Sequence, residues 1–415
     1  MAFIIPVDSR DFFLQRGNPV SKPNLDRHEL PKAEGVFPFS IKEARMNVVS
    51  EIVQRDLGEI SQNAERELET LAGKKVLLTG GAGFLGYYLV KAILHFNQKV
   101  PRQDAIQLHV WDNFIRGIPS WLNSHKEDAN LTLVERNIIE PLSSHVADFS
   151  FIIHAASIAS PTYYRKFPIE TMDANVTGLR NLLDFCLARK SHKTPVEGLL
   201  FFSSSEIYGD PEPEHIPTPE HYWGRVSCTG PRACYDESKR FGETLCVNFA
   251  HQHGLPIKIA RPFNNYGPGL KITDRRVLPD FARNIVQNED IVILSDGSPT
   301  RTFCYVSDAI VGYLKVLVRG GDGEAYNIGT ERPEVSIADL AHKLVALGRE
   351  LCSYTGTVRF GTSDDRQYLI DNPNRRCPVI AKAREQLGYS PQVDIDDGLR
   401  RTLLWYLENL EATEA

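Results

Sequence analysis

The sequence predicts an α/β protein: a doubly wound parallel sheet with a smaller C-terminal lobe and a helical N-terminal extension. Three observations carry that expectation. Short apolar runs alternate with stretches of helical periodicity from Lys74 to about residue 265, the pattern of a parallel sheet covered on both faces. A glycine-rich turn joins the first run to the first helix. Beyond about residue 265 the alternation breaks into short strands, a loop and a helical tail.

Residues 1 to about 40 are Pro-rich and mixed in charge, and read as an arm without regular structure. From 41 to 71 the residues Val49, Ile52, Val53, Leu57, Ile60, Ala64, Leu68 and Leu71 recur at three- and four-residue spacing. That spacing predicts one or two amphipathic helices, and Gly73 supplies a stop. VLLTG (76–80) is the first strand, followed by a helix over 84–96. LHVWD (108–112), LTLVERNI (131–138) and FIIHAA (151–156) are the next strands, with an inserted loop at 97–107. Helical periodicity spans 168–188, LLFFSSS (199–205) is a buried strand, and a helix over 236–253 leads to the strand IKIARPF (257–263). The last part holds a loop at 270–277, the strand IVILSD (291–296) and a helix over 394–409. The expected organisation is therefore an extension (1–73), a nucleotide-binding domain (74–265) and a lobe (266–415).

Composition narrows the function classes. The chain has 415 residues, 42% hydrophobic and 24% charged, which is a globular composition. Lys plus Arg is 47 against 53 Asp plus Glu, a net charge of −6 with no basic block, which argues against a nucleic-acid partner. No apolar run reaches 18 residues, so no membrane span is expected. The start, MAFIIPVDSRDFF, lacks the basic region of a secretory signal. Seven cysteines without a C-x-x-C pair, and twelve histidines without H-E-x-x-H, point to neither disulfides nor a metal site. A reducing cytoplasm is the expected location.

Gly80, Gly83 and Gly86 form G-x-x-G-x-x-G between a strand and a helix. A pyrophosphate needs close backbone approach there, with the free N–H groups and positive end of a helix. Phe84 and Leu85 open that helix. Asp112 closes the next strand; a carboxylate there accepts from ribose hydroxyls and repels a 2′-phosphate, so NAD is favoured over NADP. Asn113, Asn137, Ile138, Ala155, Ala156 and Pro262, at the ends of the other strands, are assigned to the same cofactor site.

Tyr235 and Lys239 supply Y-x-x-x-K, which on a helix places phenol and ammonium on one face. A positive Lys239 is expected to lower the tyrosine toward neutrality and to hold the nicotinamide ribose. Ser203, Ser204, Ser205 and Glu206 follow the preceding strand, so a hydroxyl can join the phenol at the reacting oxygen.

Residues 74 to about 410 resemble the extended short-chain dehydrogenase/reductases that modify nucleotide sugars. Within them the resemblance is to the UDP-glucuronate decarboxylases (UDP-xylose synthases). The stretches that carry it are SSSEIYGDP (203–211), YWGRVSCTGPRACYDESKRFGET (222–244), ARPFNNYGPG (260–269), SPTRTFCYVSDAI (298–310), YNIGT (326–330) and NPNRRCPVIAKAREQLGYSP (372–391). The resemblance implies a Rossmann-like domain, a tightly held NAD, a Ser/Thr–Tyr–Lys catalytic set and a homodimer. In the dimer, the helix around 170–188 and the Tyr235–Lys239 helix pair with their mates. It implies catalytic roles for Tyr235, Lys239, Ser204 and Glu206, with Glu206 acting at the sugar carboxylate or C5 end. Ser160, Tyr163, Asn264, Arg276 and Arg301 are the implied nucleotide-sugar contacts, with Arg301 on the diphosphate.

The strand-end triplet separates the subfamilies. Sugar 4,6-dehydratases carry Thr-Asp-Glu, with the Asp as acid, and decarboxylases carry Thr-Ser-Glu. This chain has Ser204-Ser205-Glu206. The alternatives are a nucleotide-sugar 4-epimerase or 4,6-dehydratase of the same family and, more distantly, a non-catalytic NAD-binding scaffold. Such scaffolds typically lose the tyrosine or lysine that this chain keeps.

Overall fold

A computed structural model describes residues 39–142, 148–363, 370 and 372–409. The expected Pro-rich arm lies outside the described residues. From Ala44 on, the described residues form one compact unit.

Seven strands form one parallel sheet. They are β1 (Lys75–Thr79), β2 (Gln107–Asp112), β3 (Leu131–Glu135), β4 (Phe151–His154), β5 (Gly198–Phe202), β6 (Ile257–Pro262) and β7 (Ala325–Ile328). Their order across the sheet is β7-β6-β5-β4-β1-β2-β3. The order reverses at β1 and β4, and at such a reversal the carboxyl ends of the strands leave a crevice for ligands. β4 and β5 are buried at every position, as expected of strands covered on both faces. β7 comes from beyond the expected domain boundary at 265. It pairs with β6 along Ala325–Ile328, so the sheet takes its last strand from the nominal lobe.

The expected helices form with small shifts. α1 (Phe39–Asn63) and α2 (Glu65–Leu71) precede the sheet. α3 (Phe84–Asn97) follows the glycine turn, and a helical stretch from 161 leads through a π turn at Ala174–Gly178 into α4 (Leu179–Arg189). α5 (Ala233–His253) begins earlier than its periodicity predicts, so Tyr235 sits in its first turn. α6 (Val277–Val286), α7 (Val306–Arg319) and α8 (Ile337–Cys352) form where the sequence reading expects only short strands and a loop, and α9 (Ile395–Glu408) is the expected C-terminal helix.

The part of the extension from Ala44 on belongs to this body. Leu57, Ile60, Ala64, Leu68 and Leu71 are buried in the same core as Val76, Leu78 and Tyr88. At about 1.5–3 kcal/mol for each fully buried apolar side chain, that face is a substantial contribution to the fold. Glu67 of α2, also buried, pairs with Arg319 at 3.3 Å and Lys315 at 3.8 Å on α7. No helix among the described residues is long and apolar enough to cross a membrane.

Candidate active site

A cavity of about 1370 Å³ opens along the carboxyl ends of the strands. Every residue assigned to the site from the sequence lines it; what differs from expectation is what their polar groups do.

The cofactor end is made of backbone. Gly80 has φ +73, and a Cβ there would lie 2.5 Å from the Ala156 Cα. A Cβ on Gly86 would lie 2.2 Å from the Gly81 carbonyl oxygen. These glycines let β1, β4 and α3 meet. Gly83 is different: a Cβ would meet only the Gly80 carbonyl, at 3.3 Å. Gly83 caps α3 with no side-chain hydrogen bond, so the helix's first N–H groups are left for an anion. Each Asp112 oxygen accepts one backbone N–H, from Ala82 at 3.0 Å and Phe114 at 2.9 Å. Each keeps a lone pair for a ribose hydroxyl. Burial raises this carboxyl, and the two N–H bonds oppose the rise. Arg116, which could have met a 2′-phosphate, instead lies over the Tyr163 ring at 4.9 Å and 3.8 Å from Asp274. Asn113, Asn137, Ile138, Ala155 and Pro262 complete this half. The glycine cradle and the free ribose acceptors fit an NAD.

The catalytic set meets between β5 and α5. The Lys239 ammonium donates to the Phe202 carbonyl at 2.8 Å and lies 5.8 Å from the Tyr235 ring centroid. Tyr164 stacks on Tyr235 at 5.1 Å and 12°. The expected low tyrosine is not seen. Burial pushes Tyr235 up to about 12, with a Ser204 hydrogen bond pulling the other way. Burial lowers Lys239 to about 7. Both groups lose water, and the ammonium points its bond at a carbonyl, so burial outweighs the pairing read from the spacing. Asn175, in the π turn, donates to Ser238 at 2.8 Å, and Ser238 donates to the Tyr235 carbonyl at 3.0 Å. That chain fixes the start of α5.

Glu206 has partners that its position in sequence did not announce. Arg376 holds it bidentately at 2.5 and 2.7 Å, and Arg232 pairs with the same carboxylate. Burial works to raise Glu206, but the two guanidinium charges prevail and hold it well below the carboxylate range. The two guanidiniums thus hold Glu206 at this corner of the cavity. Arg376 sits in register beside Arg301 on adjacent strands (Thr300–Thr302 and Arg375–Arg376). Arg301 donates to the carbonyls of Thr300 at 2.7 Å, Pro373 at 2.5 Å and Asn374 at 3.1 Å. Burial, with Arg376 beside it, brings Arg301 down to about 9.

The other expected substrate contacts have local duties. The Ser160 hydroxyl donates to the Asp274 carbonyl at 2.8 Å. Arg276 pairs with the Asp274 carboxylate. Asn264, at φ +41, donates to the Thr302 carbonyl at 2.9 Å, a left-handed position that asparagine tolerates. Sequence reasoning missed Arg232 and Arg376 as site residues, although both lie in the stretches GPRACYDESKR and NPNRRCPVI. For Arg232, its place three residues ahead of Tyr235 is the signal the sequence offers.

Known proteins resemble this one along most of its length. Residues 76–329 match the NAD dependent epimerase/dehydratase family. A UDP-glucuronic acid decarboxylase 1 of Xenopus tropicalis is 34% identical over 385 residues, 89% of this chain and 83% of the relative. A UDP-glucuronic acid decarboxylase 3 of Arabidopsis thaliana is 35% identical over 327 residues, 78% of this chain and 86% of the relative. Among solved structures, an epimerase from Methanothermobacter thermautotrophicus superposes with a TM-score of 0.70 at 27% identity, covering 84% of this chain and 96% of its own. A dTDP-glucose 4,6-dehydratase from Streptomyces venezuelae, solved with NAD, gives 0.69 at 26% identity, covering 81% and 98%. With its glycine cradle, its Tyr235–Lys239 pair and this match, the chain belongs to the NAD dependent epimerase/dehydratase family.

Proposed function

We propose that this protein decarboxylates UDP-glucuronate through a 4-keto intermediate, giving UDP-xylose or the UDP-4-keto-pentose. The observation that carries the reading is the Ser204-Ser205-Glu206 corner facing Tyr235. Position 205 holds no acid, and Glu206 is locked between Arg232 and Arg376. The corner therefore lacks the proton donor that a 4,6-dehydratase needs to expel the C6 hydroxyl.

NAD⁺ bound on the glycine cradle supplies reversible hydride storage. Tyr235, as the phenolate, takes the proton of the C4 hydroxyl and becomes the phenol, and Ser204 hydrogen-bonds the same oxygen. In its protonated form Lys239, beside the ring, steadies that phenolate until the proton moves. With C4 oxidised to a ketone, the C6 carboxylate is β to a carbonyl. The C5–C6 bond breaks, its electron pair enters the ketone as an enolate, and CO₂ leaves. Tyr235 and Ser204 then donate to the enolate oxygen. A proton from water adds at C5 and restores the ketone, and Tyr235 returns its proton when C4 is reduced. Arg301 and Arg376, side by side, provide the positive floor for the diphosphate, with Arg276 and Asn264 nearby.

The partner is a second copy of this chain. Phe241 of α5 and Ile169 ahead of α4 are large apolar side chains 50% and 60% exposed, on the helices a dimer of this family would pair. The cytoplasm is the proposed location, consistent with seven cysteines that form no disulfide among the described residues.

Incubation of the pure protein with UDP-glucuronate and NAD⁺ should release CO₂ and a UDP-pentose. Turnover of dTDP-glucose or another UDP-sugar, with no CO₂ from UDP-glucuronate, would sink the decarboxylase reading in favour of a dehydratase or epimerase.

A further inference from the structure

The pre-domain helix α1 carries a buried carboxylate that the mechanism does not use. Asp56 is fully buried. One oxygen accepts from the Tyr88 hydroxyl at 2.5 Å and the Tyr305 hydroxyl at 2.8 Å, and the other from the Arg401 guanidinium at 2.6 Å. Burying a charge is tolerated only with full hydrogen bonding, and the three donors come from three different elements.

Each of those elements lines the active-site cavity or is paired with a strand that does. Tyr88 lies on α3, whose Phe84, Leu85 and Tyr87 line the cofactor end. Tyr305 belongs to the Cys304–Tyr305 strand, paired with Asn265–Tyr266, and both of those residues line the cavity. The Tyr305 ring meets the Tyr266 ring edge-on at 5.5 Å. Arg401 lies on α9 one turn before Trp405, which lines the cavity and packs edge-on to Tyr87 at 6.4 Å. Next to it, Tyr406 donates to the carbonyl of Leu270, at the start of the loop that carries Asp274 and Arg276. Arg401 is held in turn by Glu59 at 3.0 Å and Asp397 at 2.7 Å.

We infer that Asp56 is a positioning residue for the reaction: through Tyr88, Tyr305 and Arg401 it sets how the cofactor wall, the Asn265–Tyr266 strand and the α9 wall stand relative to one another. The helix ahead of the matched domain is thus a brace of the active site. The kinetic readout rests on the decarboxylase reading; the binding readout does not.

The test uses the full chain and the variants Asp56→Asn, Asp56→Ala, Tyr305→Phe and Tyr88→Phe. The two Phe variants each delete one donor and leave the ring in place, so they decide the matter if Asp56→Ala does not fold. Melting temperature, NAD⁺ affinity by calorimetry, and KM and kcat for UDP-glucuronate are measured well below the melting transition. A brace predicts that KM and the NAD⁺ dissociation constant rise, KM by roughly tenfold, because a small shift of a binding wall is costly to the fit. It also predicts that Asp56→Asn, which keeps an acceptor, recovers part of what Asp56→Ala loses. A lower melting temperature with KM and NAD⁺ affinity unchanged would overturn the inference, leaving Asp56 a stabiliser of the fold alone. If the wild type releases no CO₂ from UDP-glucuronate, the decarboxylase reading fails, and the NAD⁺ affinities of the variants still decide the brace.

Discussion

The two halves of the cavity are built from different materials. The cofactor half is mostly backbone: glycines at 80, 83 and 86, the N–H groups that open α3, and a carboxylate already held by two main-chain donors. The substrate half is mostly charge, with Arg232, Arg276, Arg301 and Arg376 set against Glu206 and Asp274. Backbone can approach a pyrophosphate only where side chains are absent, so the first half is specified by missing atoms. The second half concentrates positive charge out of water, which is stable only where a carboxylate compensates it. The difference teaches that damage to the two halves takes different forms: steric on one side, electrostatic on the other.

The largest expected effect lies at the seam between the halves. Tyr235→Phe removes the phenol that bonds Ser204, and turnover should fall by roughly 10²–10⁴-fold, the range for a lost acid–base group. Nucleotide-sugar binding measured by calorimetry should stay close to wild type. Retention of full activity would mean that the catalytic assignment is wrong.

Glu206→Gln breaks the compensation of the charged half. It leaves Arg232 and Arg376 without their carboxylate, and about 3–5 kcal/mol of stability should be lost, read by denaturant unfolding. The pH dependence carries a second signature. Glu206 in the folded protein lies far below its ordinary value of 4.5. Its contribution is therefore complete above that value and is lost as pH falls below it. Acid unfolding of the wild type should steepen below about pH 4.5, and the Gln variant should lack that component.

Gly80→Ala breaks the backbone half. The added Cβ meets Ala156 at 2.5 Å with φ at +73, a strain of about 1–3 kcal/mol. Here the loss should fall on NAD⁺ retention, measured by cofactor content after purification, more than on the arginine floor. Unchanged NAD⁺ content would show that this cradle is not where the cofactor sits.

The smallest effect sharpens the contrast. Asp112→Asn keeps the shape but has one acceptor oxygen where the carboxylate has two, so one backbone N–H loses its partner, at about 1 kcal/mol. NAD⁺ should bind roughly tenfold more weakly, one tenfold step being 1.4 kcal/mol. The discrimination against NADP⁺ should narrow as the negative charge goes. Isothermal titration with both cofactors reads this directly.

How much of this was legible follows from how local each feature is. The glycine turn sits within seven residues, and Tyr235 and Lys239 within one helical turn, so their spacing reports their geometry. The Glu206 anchor was not legible as such. Its partners lie 26 and 170 residues away, and nothing in a strand-end glutamate says which arginine will reach it. The tyrosine pKa misled for a related reason. Spacing places Lys239 near the phenol but says nothing of how thoroughly both are buried, and burial pushes Tyr235 up to about 12. The amphipathic pattern of 41–71 shows no partner in sequence; Leu57, Ile60, Ala64, Leu68 and Leu71 pack into the common core, Glu67 pairs with Arg319 of α7, and Asp56 bonds Tyr88 of α3 and Arg401 of α9.

By itself, then, the sequence determined the alternating sheet and helices, the glycine cradle, the tyrosine–lysine pair and the absence of an acid at position 205. Each of these depends on neighbours along the chain or on which residue type is present. Only the tertiary structure decided that β7 joins the sheet from the nominal lobe, that Glu206 is held between two arginines, and that Asp56 of α1 is bonded to Tyr88, Tyr305 and Arg401. Those depend on burial and on charge pairs closed across hundreds of residues, and neither exists until the chain has folded.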